Sequence, residues 1–198
     1  MAERPGRVVL TGAHVRVEPL GLEHVPDLAE ATAGDVEVWQ WQWRPPADEA
    51  ELRVIVKGAL AESDRGTRQP YAVIDLATGR AVGSSSFLDI EPADERIEIG
   101  WTYYARSAWR TAANTETKLL LLGYAFDTLG YERVQLKTHH RNERSQAAIL
   151  RLGAVYEGTL RHHRVHWDGS RRSSMFYSIL SAEWPEVRDR LSARLASG

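Results

Sequence analysis

Residues 95–130 read ERIEIGWTYYARSAWRTAANTETKLLLLGYAFDTLG, a strand, a loop and a helix in succession. Ile97, Ile99 and Trp101 alternate with Glu98, Gly100 and Thr102, the two-residue period of a strand. Residues 106–110 carry no apolar period and read as loop. Leu119, Leu122, Phe126 and Leu129 then recur at helical spacing and predict a stripe facing a core. The run begins near Asn114, a residue suited to an N-cap, and closes at Gly130, where a helix C-terminal glycine belongs. A helix start offers N–H groups with no acceptor inside the helix and a dipole that favours negative charge. Arg106 and Arg110 stand just upstream. The junction is therefore a candidate seat for a diphosphate, against the plainer alternative of a strand–loop–helix unit that binds nothing. Glu116 complements the dipole but would repel a phosphate placed too near. Neither a Walker lysine pattern nor a G-x-G-x-x-G fingerprint is present.

Working upstream, residues 14–20 alternate as a strand and 22–31 follow as a short helix that tolerates Pro26 in its first turns. A helix is predicted over 48–63, with Leu52, Ile55, Val56, Ala59 and Leu60 as its apolar stripe. Strands are predicted over 71–76 and 81–90, joined by a tight turn with Gly79 placed for positive φ. Residues 1–12 are expected to be a loosely held lead-in. Downstream, 133–138 alternate as a strand and 142–152 form a helix closed by Gly153. Residues 154–167 are a long strand-like run bent at Gly158, Asp168-Gly169 signals a hairpin, and 173–180 return as the last strand. A polar C-terminal helix lies within 183–198. Three hairpin-linked strands rule out a purely parallel sheet, while the later strand–helix–strand units require some parallel pairing. The expected fold is α/β (α+β): one domain over 1–198, with a mixed, mostly antiparallel sheet of about seven strands and helices on both faces.

A chain of 198 residues, 43% hydrophobic and 26% charged, is long enough for one sizeable core. A formal net charge of −2 gives no reason to expect a nucleic-acid partner. The absence of cysteine excludes disulfides, thiolate metal sites and a cysteine nucleophile. The opening MAERPGRVVL lacks a signal-peptide core and the apolar runs are too short to span a bilayer, so a cytoplasmic protein without a membrane partner is expected. Trp39, Trp41 and Trp43, spaced by two, share one face if extended. They are candidates for the wall of a substrate pocket, or for cover over a core. His162, His163 and His166 lie among Arg161, Arg164, Arg171 and Arg172. With no cysteine beside them they predict no metal site, but a basic edge that contacts solvent, an acidic substrate or a second copy of the chain.

Residues 138–158 read THHRNERSQAAILRLGAVYEG. On spacing alone, Asn142 caps a helix and Ser145 is an ordinary first-turn hydroxyl. The N-E-R-S run at 142–145, the A-A-I-L-R-L-G-A-V-Y-E-G that continues to Gly158, the I-E-I-G-W strand and the order of elements resemble the GNAT superfamily of acyl-CoA-dependent N-acetyltransferases. The resemblance extends over residues 13–191 and is greatest to the branch of ribosomal-protein N-terminal acetyltransferases. The family's diphosphate loop reads Q/R-x-x-G-x-G/A. Here Trp109 replaces its leading residue and Ala112 its glycine, in a W-R-T-x-A-N-T-E-x-K variant.

The resemblance implies an acetyl-CoA-dependent N-acetyltransferase acting on a primary amine. Main-chain groups near Trp101 and Tyr103 would pair with pantetheine. N–H groups from Arg110, Thr111, Ala112, Ala113, Asn114 and Thr115, with Arg106 or Arg110, would hold the diphosphate. Asn142 would bond a pantetheine amide, and Ser145 would stand near the sulfur as an acid. Glu98 is the candidate base, with Tyr104 and Tyr177 as alternative acids and His139 and His140 as alternative bases. The competing classes are a non-catalytic acyl-CoA sensor on the same fold and a binding module without CoA.

Overall fold

The strand at the centre of the sequence is also near the centre of the sheet. The computed structural model describes residues 1–197. Its strands are β1 (Leu10–Thr11), β2 (Val15–Pro19), β3 (Arg68–Asp75), β4 (Ala81–Glu91), β5 (Arg96–Tyr104), β6 (Arg133–His139), β7 (Val155–Val165) and β8 (Arg171–Leu180). The α-helices are α1 (Val25–Thr32), α2 (Val36–Trp39), α3 (Glu49–Asp64), α4 (Ala112–Gly123), α5 (Glu143–Leu152) and α6 (Trp184–Ala196). The described strands form one eight-stranded sheet in the order β1-β2-β3-β4-β5-β6-β8-β7. Every pairing is antiparallel except β5 with β6. The expected mixed sheet is thus present, with one strand more than the periodicity shows, because β1 is only two residues long.

Alternation sends residues of β3, β4 and β5 to two cores. Ile97, Ile99 and Tyr104 of β5 join Leu121 and Leu122 of α4 and Trp184, Val187 and Leu191 of α6 on one face. Tyr103 joins Leu28, Trp39, Leu52 and Val56 of α1–α3 on the other. Burying each such aliphatic side chain contributes about 2 kcal/mol.

Four local readings change. The N-cap of α4 is Thr111, not Asn114, and its hydroxyl accepts the Ala113 N–H at 3.2 Å. The tryptophan run is not extended. Asp35 caps α2 by accepting the N–H groups of Glu37 and Val38, and Trp39 lies in that helix. The strands of the last hairpin stop at Val165 and restart at Arg171, a wider turn than Asp168-Gly169 alone predicts. Finally, the lead-in is held. Ala2 is buried, the Glu3 N–H donates to the Leu129 carbonyl at 2.8 Å, and the Tyr71 hydroxyl donates to the Gly6 carbonyl at 2.9 Å.

Candidate active site

The parallel seam between β5 and β6 is three residues long. Arg96, Ile97 and Glu98 pair with Arg133, Val134 and Gln135, and the strands then splay. Beyond Glu98, β5 keeps its bonds to β4 but offers a free edge toward β6. A bulge sits on that free stretch. Ser84 pairs with Tyr103 and Ser86 with Gly100, so β5 has one extra residue, and Trp101 takes φ of 49°. A non-glycine residue at positive φ is held there by its surroundings, and a bulge re-aims backbone groups.

Two helix starts face this opening. The guanidinium of Arg144, in the first turn of α5, lies 3.7 Å from the Trp109 ring centroid and ties that helix to the loop before α4. In that loop the N–H groups of Arg110 and Thr111 have no acceptor among the described residues. Ala112 opens the helix, so its N–H has no acceptor inside it. Arg110 is exposed, takes φ of 62°, and forms no ion pair among the described residues. Arg106 is already engaged: its guanidinium bonds the Asp35 carboxylate and lies 3.1 Å from Glu37. Of the two arginines proposed for a diphosphate, Arg110 is the one with free donors. Glu116 turns away altogether, accepting the N–H groups of Ala13, His14 and Val15 at 2.8, 2.7 and 2.7 Å. It therefore places no carboxylate at the anion seat. Asn142 caps α5 by accepting the Ser145 N–H at 3.1 Å, which leaves its amide N–H groups and the Ser145 hydroxyl without partners among the described residues.

Glu98 ends the seam and is only 1% exposed. Its Oε2 receives both Lys137 Nζ at 2.7 Å and Gln135 Nε2 at 2.8 Å. Burial raises its pKa, and the two donors oppose that rise without cancelling it. Oε1 takes no hydrogen bond from a described residue and lies above Gly100, where an added Cβ would stand 2.8 Å from it. Glycine at 100 thus leaves room for a carboxylate beside the bulge.

The three tryptophans divide. Trp39 is buried, packs at 4.3 Å on Tyr103 with the rings tilted, and donates its indole N–H to the Thr32 carbonyl, so it belongs to the core. Trp41 packs on His139 of β6 at 4.7 Å, and Trp43 on Trp101 of β5 at 6.3 Å. Between them Gln42 donates to the Thr102 carbonyl, while its Oε1 is buried without a donor. Residues 41–43 therefore bridge the splay, on the face covered by α1–α3.

The alternative acids and bases are placed less well. Tyr104 points its hydroxyl into the α4 core, where it has no partner, and burial drives its pKa upward. Tyr177 is buried, and its hydroxyl faces Met175 Sδ. His139 does line the opening, but its Nδ1 lone pair accepts the Arg141 N–H at 3.0 Å, and burial lowers its pKa to about 4. It is neutral near pH 7, with Nε2 as a donor. His140 is exposed. On the last hairpin, His163 contacts Ser174 and His166 contacts Asp168.

Sequence reasoning misses two groups, the half-buried Gln42 and the buried Lys118. Lys118 Nζ donates to Thr102 Oγ1 at 2.7 Å and to Ser85 Oγ at 3.1 Å beneath the bulge. A groove of about 490 Å³ runs from α1 and the β3–β4 turn to residues 107–113; it meets the candidate anion seat at Thr111, Ala112 and Ala113 but is lined by none of Glu98, Trp101 or Ser145. Among the described residues no helix is long and apolar enough to cross a membrane.

Comparison with known proteins agrees with this geometry. Residues 14–155 match the model of the acetyltransferase (GNAT) domain. The N-acetyltransferase YoaA of Bacillus subtilis (strain 168), itself uncharacterized, is 27% identical over 122 residues, 62% of this chain and 67% of that one. The crystal structure of a GCN5-related N-acetyltransferase from Brucella melitensis superposes with a TM-score of 0.92 at 33% identity, covering 98% of this chain and 88% of that chain. Mycobacterium smegmatis RimJ, in complex with CoA-disulfide, shares the fold at a TM-score of 0.78 and 20% identity, covering 91% and 88% of the two chains. By its family match, its sheet and its splayed central strands, this chain belongs to the GNAT acetyltransferase family.

Proposed function

We propose that the chain transfers an acetyl group from acetyl-CoA to a primary amine, on a protein N-terminus or a small molecule. The observation that carries this reading is the β5 edge, released from β6 after Glu98 and bulged at Trp101, beside two adjoining helix starts. A flexible arm with amide groups finds main-chain partners near Trp101 and Tyr103, in the manner of an added strand. The free N–H groups at Arg110, Thr111 and Ala112, continued by the first turn through Ala113, Asn114 and Thr115, suit a diphosphate. The CoA complex of RimJ supports the same donor.

An acceptor in its ammonium form must lose a proton before its nitrogen can attack, and Glu98 Oε1 is the base beside the bulge. The Ser145 hydroxyl, at the start of α5, donates to the departing sulfur. Trp41 and Trp43 flank the acceptor's approach. Isothermal titration with acetyl-CoA tests donor binding, and CoA thiol release across a panel of amines and short peptides tests transfer. Binding without release by any amine would favour a sensor, a reading for which the Gln42 contact on the Thr102 carbonyl is the motive. No binding at all would leave only a module without CoA.

Two substitutions refine the assignment. Arg110→Ala should weaken acetyl-CoA about five- to tenfold and leave S-acetylpantetheine, which lacks the diphosphate, nearly unchanged, since an exposed charged contact is partly screened. Equal losses for both ligands would remove Arg110 from the diphosphate site. Ser145→Ala should lower kcat by about a hundredfold while the Kd for acetyl-CoA holds, because a thiolate leaves without full protonation. Poor binding with a normal saturated rate would make Ser145 a binding residue.

A further inference from the structure

We propose that Lys118 is a buried counter-charge for the CoA thiolate, set behind the bulged strand and held there by Thr102 and Ser85; this rests on the CoA reading above. Lys118 is 5% exposed, in the second turn of α4. Its ammonium makes two hydrogen bonds, both to hydroxyls, and no carboxylate lies within ion-pair distance among the described residues. Those hydroxyls are themselves 2.8 Å apart, so nitrogen and two oxygens form a closed triangle. An ammonium buried without an anion is costly, and a fold that needs only to fill this space does better with methionine or leucine.

The surrounding elements supply no compensation. From β4 and β5 the triangle receives only Ser85 and Thr102. Glu98 lies across the sheet with Lys137, and Glu116 on α4 is committed to residues 13–15. The nearby Tyr104 hydroxyl is buried and neutral. Desolvation alone lowers the Lys118 pKa to about 7. The missing anion is therefore one that arrives. Thr102 connects the two sides: its hydroxyl holds Lys118, and its carbonyl accepts the side-chain amide of Gln42, in the segment that bridges the splay. In acetyl transfer a C–N bond forms, the C–S bond breaks and its electron pair goes to sulfur, while the amine's proton passes to Glu98. The charge that appears on sulfur is what Lys118 meets; it keeps its own proton throughout.

The test uses the full chain with CoA and needs no acceptor. The bound thiol is titrated by its thiolate ultraviolet absorbance, with the desulfo-CoA complex as blank. The wild type should titrate about one pH unit below Lys118→Met, and Lys118→Arg should restore part of the difference. Linkage requires the reciprocal effect: the Lys118 side-chain resonance in isotope-labelled protein should titrate higher with CoA than with desulfo-CoA. Equal thiol titrations in wild type and Lys118→Met, with CoA bound in both, overturn the proposal and leave Lys118 a structural residue. If Lys118→Met does not fold, the lysine resonance decides alone: an identical titration with CoA and desulfo-CoA overturns it. Failure of the wild type to bind CoA is a different result, and it removes the acetyltransferase reading itself.

Discussion

Glu98→Gln should lower kcat by about 10²–10⁴ and abolish the acidic limb of the pH–rate profile. A base works only when deprotonated, so wild-type activity falls as pH drops through the Glu98 pKa. Burial raises that pKa, which puts the limb above the ordinary carboxylate range. Glutamine keeps the size and can still accept from Lys137, which retains Asp89 at 3.5 Å as a second partner. A profile that keeps its limb while the rate falls would mean that Glu98 shapes the site and another group takes the proton. Measured with any amine that reacts, the profile separates these cases, and a thermal scan of the variant checks that the fold has survived.

Glu116→Ala should be the most damaging of the substitutions for stability. One carboxylate accepts three consecutive N–H groups, from Ala13, His14 and Val15, at the entry to β2. Glu116 is 4% exposed, so water has little access to replace it. Each donor left unsatisfied costs about 1–3 kcal/mol, and a total near 3–5 kcal/mol corresponds to a Tm lowered by about 10–15 °C in a chain of this size. Glu116→Gln should lie between, because one amide oxygen cannot serve all three donors. A thermal or urea transition for Glu116→Ala within about 1 kcal/mol of wild type would show that the β1–β2 turn repacks freely.

The architecture is largely legible in the sequence because it follows from alternation and helical spacing around residues 95–130. The site is only partly legible, and the reasons are local. Glu98 is visible as a polar position on a central strand, but its partners Lys137 and Gln135 come from β6 and depend on a three-residue register. Arg106 looks free in the sequence because Asp35 and Glu37 precede it by about seventy positions. Glu116 and Lys118 occupy positions in α4 that a hydropathy pattern assigns to solvent; each is buried by a contact that no neighbouring residue announces. The tryptophans' spacing of two mimics a strand, whereas Asp35 as N-cap signals a helix, and only the alternative of cover over a core fits Trp39.

The strand order has a consequence for how the protein comes into being. Each strand from β1 to β5 pairs with its neighbour in sequence, so that leaf can assemble as the chain leaves the ribosome. β6 cannot do the same on its outer side, because its partner there is β8, and β7 lies beyond. Residues 133–139 must wait for residues 171–180 to be synthesised. The bulge at Trp101 and the proposed base, Glu98, are thus built early, onto a strand whose far wall does not yet exist. The nascent chain carries half an enzyme, with the splay beside β5 open to one side, until β8, the last of the described strands, is made.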